Sequence, residues 1–390
     1  MTVFTQSIGS RPVMAPASGD RVAKDRVNWV DTAKGICIIF VVMMHTTLGL
    51  EKAVGEQGWM HAVVAFAQPF RMPDFFLISG LFLAATIDRP WRLFLDRKVL
   101  HFFYFYVLWL TIQYGMKAPN MMAEGLTLGC VIRTYFFSFI QPFGTLWFIY
   151  LLPVFFVVTK LLKNRIWWLF GASVLLQIAP INTGPLLEQA KDLFGVVSSE
   201  KGFLLIDEFC SRLVYFLAGY MFANQLFALA DKARQHVPAC LALLLVWAIT
   251  NGTFVALGWS GLPLVSLVLG FAGGGAIVLC ASLLSSQRVM GLVNRPLNWF
   301  GANSIVIYLS FFFPMIVSRL LLIKLVPWLD VGTMALISLI IGIVAPMVFY
   351  MLVRWTGWGM FLFHRPDWAV LSDTPWKKSD GRKAALQAAE

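Results

Sequence analysis

Charge is scarce in this chain of 390 residues. Asp, Glu, Lys and Arg make up 13% of it, while 59% is hydrophobic. A soluble domain carries roughly a quarter charged residues, so the deficit excludes an ordinary soluble fold. Histidine is limited to five residues, and so is cysteine. Cys37, Cys130, Cys210, Cys240 and Cys280 lie in or beside apolar segments without paired spacing. That pattern argues for core filling and against a disulfide framework. No Cys-x-x-Cys and no His-x-x-x-His occurs, so neither a metal site nor a tightly bound cofactor is expected. A transmembrane β-barrel is excluded too, because strands alternating polar and apolar residues are missing. No cleavable signal peptide is expected, since about 30 mostly polar residues precede the first apolar run.

Long apolar runs are abundant. Ten stretches are long enough, or nearly so, to span a bilayer as helices: 34–50, 70–87, 99–116, 145–162, 166–182, 209–228, 237–257, 261–285, 303–323 and 333–354. The expected fold is therefore an all-α polytopic helix bundle of about ten spans. Its membrane domain covers 31–356, between flexible polar tails at 1–30 and 366–390. Two longer connections, 117–144 and 183–208, are of a length that often covers a site. Gly270 and Gly274 form a small-xxx-small pair suited to close helix approach.

The basic residues fix an expected orientation. With the N-terminus inside, 21 of the 31 Lys and Arg fall in cytoplasmic segments and 6 outside. Arg89, Arg92, Arg97, Lys98, Lys160, Lys163 and Arg165 are among the 21. This obeys the positive-inside rule and places both termini in the cytoplasm. The net charge of +11 is then a matter of topology and implies no nucleic-acid partner.

The first apolar run carries Lys34 and His45, where the bilayer penalises both. Eleven residues is three helical turns to within about 20°, so the two share a face, about 16 Å apart along the axis. Lys34 can pair with Asp31 or snorkel to the interface. His45 has only Thr46 and Thr47 as polar neighbours, and an imidazole suits proton transfer at neutral pH. In the second run, Arg71 and Asp74 are spaced for an i, i+3 pair. Asp74 alternatively reaches His45 and orients its imidazole, so both His45 and Asp74 are candidate catalytic residues.

Lys34-x10-His45, followed by Phe70-Arg71-Met72-Pro73-x-Phe75-Phe76-x-x-Ser79-Gly80, resembles the acyltransferase family 3 membrane proteins. Leu146-Trp147-Phe148, Tyr215-Phe216-Leu217-Ala218-Gly219-Tyr220 and Gly301-Ala302-Asn303-Ser304-Ile305-Val306-Ile307-Tyr308 follow in the matching order. The likeness spans about residues 29–355. It implies transfer of an acyl group, commonly acetyl or succinyl, from cytoplasmic acyl-CoA to a hydroxyl. The implied acceptor is an envelope glycan, a lipid-linked sugar or a similar molecule, at a bacterial inner membrane. The family's basic-x10-His pair maps onto Lys34 and His45. Two departures stand out: the basic residue is lysine where arginine is commoner, and Leu309-Ser310-Phe311 lacks a histidine that many members carry after the Tyr308 position.

Under this reading His45 takes the proton of the acceptor hydroxyl. Lys34 attracts the anionic donor, Arg97 and Lys98 hold CoA phosphates, and Arg71 contacts acceptor or acyl group. Arg212 has Glu208 four residues earlier, so an i, i+4 pair accounts for it. Trp147, Asn303, Ser304 and Tyr308 complete the candidate substrate-binding set. The alternatives are a proton-coupled transporter, in which Lys34, His45, Arg71 and Asp74 form a relay, and an inactive interaction protein on the same scaffold.

Overall fold

The computed structural model describes residues 18–198, 200–286 and 291–371, with side chains from Asn28 onward. Every regular element among them is helical. Helix α1 (Ser18–Val54) is followed by the short α2 (Met60–Ala67) and by α3 (Arg71–Ala84). Next come α4 (Trp91–Leu95), a π-helical turn (Asp96–Leu100) and α5 (His101–Ala123), which run on as one rod. Helices α6 (Leu128–Phe137), α7 (Trp147–Leu161), α8 (Ile166–Ile178) and α9 (Gly184–Phe194) lead to α10 (Leu204–Met221) and α11 (Ala223–Gln235). The bundle closes with α12 (Val237–Ala256), α13 (Pro263–Ser286), α14 (Gly291–Ala302), α15 (Ser304–Ser310), α16 (Phe312–Leu325) and α17 (Val331–Thr356).

All ten expected spans are helical, and six to eight of them are long and apolar enough to cross a membrane unaided. The number is six for single helices, and eight if each of two bent pairs counts as one. The bent pairs are α10–α11, at 73°, and α15–α16, at 54°. The runs at 70–87 and 166–182 yield α3 of 14 residues and α8 of 13. At about 1.5 Å per residue these reach roughly 20 Å, short of a hydrocarbon core near 30 Å. Turns at both ends cut these two segments. Of the expected tails, residues 1–17 and 372–390 lie outside the described residues, as do Arg11, Lys377, Lys378, Arg382, Lys383 and Arg288. From Ser18 the chain is already in α1.

Two glycine crossings set the core. On α3, Gly80 lies against the Phe216 carbonyl of α10, and Gly219 of α10 lies against the Leu77 carbonyl of α3. A Cβ at either glycine would overlap main chain. On α1, Gly35 meets the Leu297 carbonyl, while Gly301 of α14 meets the Asp31 carbonyl. Backbones pressed this closely gain packing where lipid supplies no hydrophobic drive between helices. On α13, the expected Gly270–Gly274 pair is only half used. Gly270 lies under the Tyr215 ring and Gly273 under Phe70, whereas Gly274 keeps ordinary distance from Leu77.

At one end, residues from the expected cytoplasmic loops meet. Lys160 donates to the Ile87 carbonyl and to that of Arg89 at 2.8 Å. Lys163 donates to Asp88 at 2.8 Å and holds that carboxyl below its ordinary range. The chain after α17 folds back here. Arg365 forks onto Asp96, Nη2 to Oδ1 at 2.7 Å and Nη1 to the carbonyl at 2.8 Å, and the Leu371 amide donates to the same Oδ1 at 3.1 Å. Both side chains are nearly sealed, 5% and 0% exposed. Arg365→Ala leaves a buried carboxylate unpaired, so about 3–5 kcal/mol should be lost, seen as early melting in detergent. Unchanged melting would refute a structural role for the clamp. At the other end, the two long connections pack on each other through Phe137, Leu187, Val196 and Phe203.

Candidate active site

Helix α1 carries Lys34 and His45 into two separate cavities. Lys34 reaches the first, of about 160 Å³, together with Cys37, Ser79, Phe102, Ser304 and Tyr308. Its ammonium pairs with Asp31 at 3.0 Å and stands 4.5 Å from the centre of the Phe82 ring. The pairing read from the i, i+3 spacing therefore forms, and the lysine still faces the cavity.

His45 lines the second cavity, of about 150 Å³, with Arg71, Thr145, Trp147, Glu208, Arg212 and Tyr308. This cavity gathers segments far apart in sequence: α1, the start of α3, the turn before α7, and α10. The imidazole lies 5.5 Å from the Phe311 ring, at the kink between α15 and α16. Arg212 is bonded to Glu208 at 2.8 Å, as the i, i+4 spacing predicts.

Tyr308 and Phe148 line both cavities. Their rings meet edge to face at 5.7 Å, and the Tyr308 hydroxyl donates to the Thr145 carbonyl. The two rings thus form a wall with a cation-bearing space on either side, mainly apolar around Lys34 and mixed polar and apolar around His45. An acyl chain bound at this wall has a lysine on one side and an imidazole on the other. Such an arrangement suits group transfer between two reactants that arrive separately.

The chain matches the acyltransferase domain of acyltransferase family 3 over residues 27–355. It belongs to that family. The match agrees with the family resemblance carried by the motifs. The chain is also similar to the inner membrane protein YcfT of Escherichia coli (strain K12). The two are 29% identical over 177 residues, 40% of this chain and 49% of that protein. The chain thus spans about half the length of the curated relative it matches. No solved structure matches it.

Not every candidate residue reaches the cavities. The expected His45–Asp74 dyad is not formed: Asp74 does not line the His45 cavity. Its fully buried carboxylate neighbours the Cys37 thiol, two turns of α1 before His45. Asp74 also makes no ion pair with Arg71 among the described residues, although the two charges act on each other. Asn303 spends its amide on the Trp299 carbonyl at 2.9 Å, at the junction of α14 and α15. Lys98 rests on the Phe156 ring, 4.7 Å from its centre. With Arg97 it occupies the π-helical turn, one turn before Phe102 of the Lys34 cavity. Trp147, Ser304 and Tyr308 do line the cavities.

Cys37, Ser79 and Thr145 were missed as lining residues. Cys37 lies one turn after Lys34 on the same face, which the helical period makes readable. Ser79 and Thr145 sit in or beside quoted motifs, yet which way they face depends on packing. Phe311, three residues after Tyr308, lays its ring by His45.

Proposed function

We propose that this acyltransferase moves an acetyl or succinyl group from cytoplasmic acyl-CoA to a hydroxyl of an envelope glycan, lipid-linked sugar or similar acceptor. Its place is the bacterial inner membrane, as the name of its relative suggests, with both termini in the cytoplasm. The observation that carries the reading is the pair of cavities sharing Tyr308 and Phe148, one holding Lys34 and the other His45.

The donor enters on the Lys34 side, the end where Arg89, Lys160, Lys163 and Arg365 gather. Lys34 attracts its anionic part, and Arg97 and Lys98 hold CoA phosphates. Ser304, Asn303 and Tyr308 orient the donor, and the acyl group passes the Tyr308–Phe148 wall. The acceptor hydroxyl enters beside His45, with Trp147 and Arg71 against it. His45 Nε2 or Nδ1 takes the hydroxyl proton as the oxygen bonds the acyl carbon. The carbon–sulfur bond then breaks, and the proton goes on to the CoA thiolate. Asp74 takes no part in this route, since His45 works without a carboxylate partner.

Protein reconstituted in vesicles should release free thiol from acyl-CoA and acylate added acceptor. Solute movement with no covalent change would overturn the reading. Lys34→Met should raise KM for acyl-CoA roughly tenfold with kcat little changed, the signature of lost ground-state binding. An unaltered KM would remove Lys34 from the donor site.

A further inference from the structure

One cation in the His45 cavity, Arg71, makes no ion pair among the described residues, although Asp74 and Glu208 lie near enough to act on its charge. Arg71 and Arg212 both line it, with a single carboxylate, Glu208, between them. Glu208 Oε2 already accepts from Arg212 Nε at 2.8 Å, one turn along α10. Asp74, three residues beyond Arg71, lies by Cys37 instead. Arg71 Nε and Nη1 are shut off from solvent and make no hydrogen bond among the described residues. Sealing these two donors from water without a partner is unfavourable, while Arg71 as a whole is only half-buried. The other lining groups able to accept, the Thr145 and Tyr308 hydroxyls and the His45 ring, make no hydrogen bond to Arg71 Nε or Nη1.

We infer that Arg71 receives a carboxylate of the substrate, so that one of the two reactants is an acid. The planar fork of a guanidinium matches a carboxylate with two parallel hydrogen bonds. This inference rests on the acyl-transfer reading of the same cavity. Arg71 and His45 face one space of about 150 Å³. A substrate pinned through its carboxylate at Arg71 therefore presents its remaining atoms to the imidazole. The carboxylate belongs either to the far end of a dicarboxylic half-thioester or to an acidic acceptor. In both cases it restores the missing negative charge only while substrate is bound.

The full-length protein, purified in detergent, is melted with succinate, with succinamide and with neither. Succinate should raise Tm and uncharged succinamide should not, because only the former supplies charge to Arg71. Arg71→Gln should remove the rise, and Arg71→Lys should keep part of it. No rise with succinate, an equal rise with succinamide, or an equal rise in Arg71→Gln overturns the proposal. If Arg71→Gln does not fold, the comparison of succinate with succinamide on the unaltered protein still decides.

Turnover then separates the sources. A preference of about 10–100-fold for succinyl-CoA over acetyl-CoA, lost in Arg71→Gln, places the carboxylate on the donor. Equal turnover of the two donors, with stabilisation by succinate, places it on the acceptor. Thiol release from neither donor, with succinate still stabilising, would refute acyl transfer and leave the carboxylate site standing.

Discussion

Replacing His45 by alanine should lower acyl transfer about 10²–10⁴-fold, the range for loss of a positioned base. The fold should survive. The imidazole is half-buried, has no hydrogen bond among the described residues and touches chiefly the Phe311 ring. Its removal therefore leaves no buried polar partner stranded, the usual reason that a polar deletion is destabilising. His45→Gln separates the roles further, since glutamine keeps bulk and hydrogen bonding but cannot take the proton at neutral pH. Both variants should melt close to the parent while thiol release and product formation collapse together. Normal transfer by a folded His45→Ala protein would sink the assignment.

The second large effect is structural. Gly301→Leu should abolish the folded state or lower its stability by about 3 kcal/mol or more, the upper range for overpacking. The added side chain meets the Asp31 carbonyl and the Gly35 amide, which are main chain and cannot rotate away. Helices α1 and α14 must then separate, carrying Lys34 away from Ser304 and Tyr308. Gly219→Leu should act alike at the α3–α10 crossing, where the Leu77 carbonyl stands. Gly275→Ala is the control, because nothing lies within 4 Å of a Cβ there. Melting and size-exclusion behaviour in detergent give the readout. A Gly301→Leu protein as stable as Gly275→Ala would refute the close crossing.

These glycines also explain what three of the recognisable motifs are for. Ser79-Gly80 and Ala218-Gly219 are far apart in sequence, yet each glycine seats the other helix's backbone. Gly301-Ala302-Asn303 does the same for α1 and so delivers Ser304 and Tyr308 to the Lys34 cavity. The order of the motifs was legible as a linear pattern. Their function as paired docking points was not, because a glycine's value lies in what approaches it.

Composition and period settled much. Scarce charge and ten apolar runs required a helical membrane bundle, since only helices or closed barrels satisfy backbone groups in lipid. The eleven-residue spacing put Lys34 and His45 on one face by helix geometry alone. Pairs three or four residues apart, Asp31 with Lys34 and Glu208 with Arg212, formed as local spacing dictates.

Tertiary structure decided the rest. Which helices are long enough to span depended on turns that hydropathy does not register, as at α3 and α8. The same i, i+3 spacing that joined Asp31 to Lys34 failed for Arg71 and Asp74, because the surrounding helices gave each residue a different neighbour. Asp74 was drawn beside Cys37 and Arg71 into the cavity of His45. The division into two cavities by Tyr308 and Phe148 joins residues 160 positions apart. A local period fixes the face a residue occupies on its own helix, and only packing fixes what that face meets.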